Sequence, residues 1–222
     1  MSHQLTLKKK RQLTPDTYQY TFTKPANFGF KPGQATELTL LKDGWKDEGR
    51  PFTFTSLPAD DDLEFVIKSY FDHDGVTEQL AKLAPGDTVE IEEPFGAIRD
   101  HGAGVFLAAG AGITPFIPIL EKHDAMGEMD CTLIFTNETE DDIILRKKWE
   151  KMKGLKTVFT VTDEEDTGVN EEKVDKDFLQ KHVADFDQTF YLCGPQGFVD
   201  DVRNALLDLG ATKEKIVTEE GW

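Results

Sequence analysis

The hydrophobic pattern of this 222-residue chain changes its period near residue 100. Before that point apolar and polar residues alternate in short runs, at 5–7, 18–23, 36–40, 52–56, 63–70 and 88–92. Turn signals such as Lys31-Pro32-Gly33 and Pro85-Gly86-Asp87 separate them. Short alternating strands at fairly even spacing predict a β-barrel or sandwich. One helix fits within this half, over 77–83, with Leu80 and Leu83 on one face. After the change the strands are continuously apolar. Val105-Phe106-Leu107-Ala108-Ala109 suits a sheet buried on both faces. Helices are predicted over 115–123, 141–152, 175–181 and 197–209, and strands over 132–136, 157–161, 189–193 and 216–217. That alternation means βαβ units and a parallel sheet. The expectation is two domains, an antiparallel β-barrel at 1–100 and an α/β parallel-sheet domain at 101–222. Glycine and charged residues cluster at the join, 96–104, and no internal repeat is visible.

Composition excludes several classes. Hydrophobic residues make up 38% and charged residues 30%, as in an ordinary globular protein. No stretch is apolar enough for a membrane span. Met1-Ser2-His3-Gln4-Leu5 carries no apolar signal core, so a cytoplasmic location is expected. The net charge of −17 repels nucleic-acid phosphates and anionic membranes. It serves either as a plain acidic coat or as a docking face for a basic partner. Cys131 and Cys193 are too few for the four thiolates of an iron–sulfur cluster, and a disulfide is not expected in a reducing cytoplasm. His3, His73, His101, His123 and His182 are scattered without metal-ligand spacing, so no metal is expected. Ser56 and Ser69 sit in strands with no nucleophile elbow. Asp163-Glu164-Glu165-Asp166 reads as a solvated loop.

Three segments carry chemistry, about 60 and 80 residues apart: Arg50-Pro51-Phe52-Thr53, Gly110-Ala111-Gly112-Ile113-Thr114-Pro115, and Cys193-Gly194-Pro195-Gln196-Gly197-Phe198. Gly110-Ala111-Gly112 ends a buried strand and opens a helix. Its glycines allow close backbone approach, and the helix start presents free N–H groups that suit a pyrophosphate. Pro115 fits the first helical turn. By itself this segment serves equally as a tight turn without a ligand. Cys193-Gly194-Pro195 ends another strand of the same sheet, so its thiol either borders a ligand crevice or is a structural cysteine. Asp74-Gly75-Val76-Thr77 precedes the helix of the first half. Thr77 is expected to cap that helix, whose free N–H groups suit a second phosphate. Arg50 either pairs with that phosphate or lies on the surface.

These segments resemble the ferredoxin–NADP reductase superfamily along nearly the whole chain. Within it the chain is most similar to the NADH-dependent cytochrome reductases and the reductase module of nitrate reductase. Val66-Ile67-Lys68-Ser69-Tyr70-Phe71 and the run from Asn137-Glu138-Thr139-Glu140 to Arg146 carry this, with the segments above. The resemblance implies a flavin on the barrel, FAD rather than FMN, and NAD(P)H on the second domain. It implies hydride transfer from nicotinamide C4 to flavin N5 and onward passage of electrons to an acceptor the residues do not name, such as a small redox protein. Arg50, Pro51, Phe52 and Thr53 would hold the flavin, with Thr53 near N5. Val66, Lys68 and Tyr70 would line its ribityl and adenine side, and Gly75, Val76 and Thr77 its pyrophosphate. Thr114 would face the isoalloxazine. Gly110, Ala111, Gly112, Pro115, Thr136, Asn137, Glu138, Gly194, Pro195 and Phe198 would shape the nucleotide site, with Cys193 beside the nicotinamide. Thr53 and Cys193 are the expected catalytic pair.

Two departures stand out. Phe52 replaces a tyrosine usual in the family, losing a hydroxyl hydrogen bond of roughly 1 kcal/mol. The chain ends in Trp222, which either covers the flavin, as a terminal aromatic does in several relatives, or frays. Glu138 stands where an NADP 2′-phosphate would need a cation, so NADH is expected over NADPH. The competing readings are an NADPH-dependent ferredoxin or flavodoxin reductase, a flavin-carrying subunit that needs a partner for turnover, and a ligand-binding module with a relict flavin fold.

Overall fold

The computed structural model describes residues 2–72, 74–96, 98–165 and 167–219. The first half holds β1 (His3–Gln12), β2 (Thr17–Thr23), β3 (Ala35–Leu40), β4 (Arg50–Thr53), β5 (Asp62–Lys68), helix α1 (Val76–Ala81) and β6 (Thr88–Ile91). The strands run β4-β3-β6-β1-β2-β5, all antiparallel. Just past β4 the chain passes from one edge to the other. The Phe54 N–H donates to the Gln34 carbonyl at 3.0 Å, and the Thr55 N–H to the Glu64 carbonyl at 2.8 Å. This bridge brings the edges of a nearly closed barrel together. Alternate residues fill it: Leu5 and Leu7 of β1, Tyr20 and Phe22 of β2, Phe65 and Ile67 of β5. Phe30 stacks on Phe54 at 4.5 Å between ring centroids, and Phe54 lies 5.2 Å from Phe65.

Helix α1 starts one residue earlier than expected, and Thr77 does not cap it. Gly75 is the N-cap residue, without a side-chain cap. The Thr77 hydroxyl instead accepts the Tyr70 N–H at 3.3 Å, and its carbonyl accepts the Ser69 hydroxyl at 3.1 Å. Thr77 thus ties the end of β5 to α1.

The second half contains β7 (Val105–Ala109), α2 (Phe116–Met126), β8 (Thr132–Asn137), α3 (Arg146–Lys151), β9 (Lys156–Val161), α4 (Lys176–His182), β10 (Phe190–Cys193), α5 (Gln196–Asp208) and β11 (Ile216–Thr218). Its parallel sheet runs β11-β10-β7-β8-β9. Period-2 alternation divides β7 between two cores. Phe106 and Ala108 pack with Phe116 and Leu120 of α2 and Trp149 of α3, while Val105 and Leu107 pack with Phe178 of α4 and Val202 of α5. Val66 of the barrel and Ile98 of the connecting segment join the α2-side cluster, which thus bridges the two halves, while the barrel keeps its own core.

The helix expected over 141–152 is broken. Thr139 opens a capping box with Asp142, a short 3-10 turn covers Glu140–Asp142, and Leu145 adopts φ 58° before α3 begins. Ile143 and Ile144 are buried from this turn, and the Trp149 indole N–H donates to the Ile144 carbonyl at 2.8 Å. Cys131 and Cys193 are both free thiols. Among the described residues no helix is long and apolar enough to cross a membrane, and no His, Cys, Asp and Glu cluster is suited to a metal ion.

Candidate functional site

The ends of β7, β8 and β10 face the barrel across a cleft of about 860 Å³. In a parallel sheet these carboxyl ends carry free backbone groups, and the loops after them line a crevice. The cleft floor is the turn after β7. Gly110–Ile113 form one 3-10 turn with Gly110 at φ 52°, and Pro115 is the N-cap of α2. The Thr114 hydroxyl donates to the Ala111 carbonyl at 3.0 Å and fastens this turn. Gly112 is required by contact. A Cβ there would lie 2.2 Å from the Cys193 carbonyl oxygen, so the turns after β7 and β10 cross backbone on backbone.

Most expected residues meet here. From the barrel come Pro51, Phe52, Thr53, Val66, Lys68, Tyr70 and Thr77. From the sheet come Gly110, Ala111, Gly112, Thr114, Pro115, Thr136, Asn137, Glu138, Cys193, Gly194, Pro195 and Phe198. Three expected residues do not line the cleft. The Arg50 guanidinium turns to Glu48 at 3.0 Å and to the Gly49 carbonyl at 2.8 Å. Val76 is buried in the barrel core, and Gly75 is absent from the cleft wall. Trp222 lies outside the described residues. The structure adds Asp142, Thr162, Lys173, Asp201 and Glu219, which sequence reasoning missed. Thr162 follows β9 and Glu219 follows β11, so the carboxyl-edge rule, applied to every strand, would have found both.

The electrostatics are uneven. Glu138, Asp142, Asp201 and Glu219 face the cleft with two lysines, Lys68 and Lys173. Burial works against the charge of Lys68, but Asp16 at 3.1 Å, with Asp142 and Glu138 beyond, holds its pKa above the ordinary lysine value. Burial pushes the Cys193 thiol well up, with Glu219 adding to it, so Cys193 stays a neutral thiol. Burial also raises Glu219. Asn137, 6% exposed, has neither its amide nitrogen nor its oxygen paired. A buried amide in a cleft wall with both its donor and its acceptor unpaired is suited to a polar ligand.

Residues 4–99 match the family model described as oxidoreductase FAD-binding domain, and residues 106–204 the oxidoreductase NAD-binding domain. NADH-cytochrome b5 reductase 2 of Danio rerio is 27% identical over 259 aligned positions, covering 97% of this chain and 84% of that protein. The ferredoxin reductase component of 3-ketosteroid-9-alpha-monooxygenase from Rhodococcus rhodochrous is also 27% identical, over 97% of this chain and 64% of that one. Among solved structures, the CS-b5R domains of human Ncb5or in the NAD+ form superpose with a TM-score of 0.86 at 25% identity, covering 98% of this chain and 69% of that one. A ferredoxin NADP+ reductase from Neisseria gonorrhoeae, 21% identical, has the same fold with a TM-score of 0.85 over 100% of this chain and 99% of its own.

Proposed function

The chain belongs to the ferredoxin–NADP reductase superfamily, as an NAD(P)H-dependent flavoprotein reductase with FAD- and NAD-binding domains, and from that premise we propose that it oxidises NADH in the cleft and passes the electrons to a small redox protein. The observation that carries this reading is the cleft itself, where a glycine turn at the end of β7 faces β4 and β5 of the barrel. FAD, when bound, supplies the redox chemistry by accepting hydride from the reduced nicotinamide.

The chain's residues supply alignment and a partly dry site. Pro51, Phe52 and Thr53, which line the cleft, would flank the flavin from β4. Lys68, held charged by Asp16, places a cation for ligand phosphates. The unpaired Asn137 amide offers a donor and an acceptor to the nucleotide. Cys193 acts by contact, because its thiol stays protonated. Cys193→Ala should therefore slow flavin reduction by on the order of tenfold while nucleotide affinity changes less than about twofold, a misalignment effect. Unchanged single-turnover bleaching would remove Cys193 from the transfer step.

The nucleotide preference follows from charge. Glu138 is exposed on the cleft, and Asp142, four residues on, lines the same cleft. Both repel a phosphate of about −1.5 to −2 charges. Glu138→Arg should raise the NADPH-to-NADH ratio of kcat/KM by on the order of tenfold. Equal kcat/KM values for the two nucleotides in the parent protein would sink the NADH reading. The runner-up, NADPH, rests on Lys173, an exposed cation lining the same cleft. The net charge of −17 favours an acceptor with a basic docking face.

The deciding experiment is an anaerobic visible spectrum of the purified protein before and after stoichiometric NADH. Flavin bands that bleach on mixing support the reading. Bands that persist with NADH but bleach with NADPH favour the runner-up. A protein that takes up no FAD overturns both.

A further inference from the structure

Asp100 sits in the segment joining β6 to β7, and its carboxylate is shared among three donors. Lys122 Nζ lies 2.7 Å from Oδ2, His123 Nε2 lies 3.0 Å from Oδ1, and the Gly102 N–H donates to Oδ1 at 3.0 Å. Both side-chain donors come from the last turns of α2. One turn earlier on the same helix, Ile119 meets the barrel. A Cβ on Gly33, in the barrel's Lys31-Pro32-Gly33 turn, would lie 3.3 Å from Ile119 Cδ1 and 2.3 Å from the carbonyl oxygen of Ile98. Ile98 itself is 1% exposed. Barrel, connecting segment and α2 thus meet at one place. Tyr191 of β10 adds a further tie, accepting the His101 N–H and donating to the Gly102 carbonyl, each at 2.8 Å.

Cys131 Sγ lies 3.8 Å from His123 Nδ1, which completes a Cys–His–Asp series. It is not suited to nucleophilic work. Cys131 and His123 are both buried, neither lines the cleft, and burial raises the thiol. The geometry has a different use. Helix α2 begins at the cleft floor and ends at Asp100's partners, so whatever fixes Asp100 to α2 fixes the barrel relative to that floor.

We propose that Asp100, Lys122 and His123 form a polar latch that sets the spacing of the two halves, making Lys122 and His123 positioning residues for hydride transfer across the cleft. The latch rests on the cleft function proposed above. It lies outside the cleft. Because it ties the connecting segment to a helix of the second half, it governs alignment rather than nucleotide affinity.

The test uses the FAD-loaded full chain carrying Lys122→Met with His123→Leu, and separately Asp100→Asn, which keeps the shape of the side chain. Three quantities are read: single-turnover flavin bleaching at saturating NADH, the NADH dissociation constant, and tryptic cleavage after Arg99, which is exposed in the connecting segment. The expected result is bleaching slowed by about tenfold or more, affinity changed by less than about twofold, and faster cleavage at Arg99 in the helix-side variant. Lys122→Arg should restore the parent rate. Parent-rate bleaching with only a lowered melting temperature would make the contacts purely structural and overturn the proposal. Rate and affinity falling in parallel would overturn it too, since the cleft itself would have changed. Cleavage at Arg99 needs no flavin chemistry. If the parent does not bleach, the proposed function fails and cleavage decides the latch alone.

Discussion

Gly112→Ala should lower the melting temperature by roughly 6–12 °C, the shift expected for about 3 kcal/mol in a chain of this size. The added Cβ would stand 2.2 Å from the Cys193 carbonyl oxygen, 2.4 Å from its carbonyl carbon and 2.6 Å from the Gly194 nitrogen. All three are backbone atoms, so no rotamer change relieves the overlap. Either the turn after β7 or the end of β10 must move, and both line the cleft. Nucleotide affinity should therefore fall with stability. Gly110→Ala is the matched control. It sits two residues away with nothing within 4 Å of a new Cβ. Its φ of 52° should cost only about 1 kcal/mol. Thermal melts of both variants, with calorimetric titration of the nucleotide, separate the two causes. Equal losses at both positions would mean that the backbone crossing does not constrain the turn.

Local chemistry made much of this fold legible. The period change near residue 100 became an antiparallel six-strand sheet followed by a parallel five-strand one. The apolar run 105–109 became the central, fully buried strand. What failed was decided by particular side-chain and backbone partners that no helix or strand period marks. Ile143, Ile144 and Leu145 read as helix interior, yet the Thr139–Asp142 capping box and the Trp149 bond to the Ile144 carbonyl favour a turn there. Thr77 has the chemistry of a cap, but the Tyr70 N–H takes its hydroxyl. β1 extends to Gln12 through Lys8-Lys9-Lys10-Arg11, beyond the strand expected at 5–7. The run is held by pairing to β2, and Lys10 donates to the Ala81 and Leu83 carbonyls beyond α1.

The candidate site shows the same division. Glycines and strand ends announced their places, because a turn at the edge of a parallel sheet has few solutions. Side-chain direction was not legible at Arg50, since nothing in its own segment says that Glu48 takes its guanidinium. The carboxylates facing the cleft were half visible. Glu138 lies in a motif and Glu219 follows a strand end, whereas Asp201 reaches the cleft only through the packing of α5. The latch at Asp100 was invisible, because its three donors come from two elements and no spacing marks them.

Asp100→Asn should cost about 2 kcal/mol at neutral pH, and that deficit should shrink as the pH falls. Burial alone would raise the Asp100 carboxyl, but Lys122, His123 and the Gly102 N–H outweigh it and lower its pKa from 3.8 to about 2. A group whose folded pKa is depressed adds stability that is fully present above its unfolded value. That stability drains away as pH drops through the folded value. Nearly two pKa units correspond to about 2 kcal/mol, at roughly 1.4 kcal/mol per unit. The side chain is only 12% exposed, so solvent screens the interaction little. Denaturant titrations of parent and variant at about pH 7, 4 and 3 measure the gap directly. It should hold between about pH 7 and pH 5 and narrow below about pH 4, where the unfolded parent takes up the proton before the folded parent does. A gap that stays constant down to about pH 3 would mean that the asparagine NH2, set against donors where the carboxylate had accepted, carries the loss, and the latch would then act through its hydrogen bonds and not through charge.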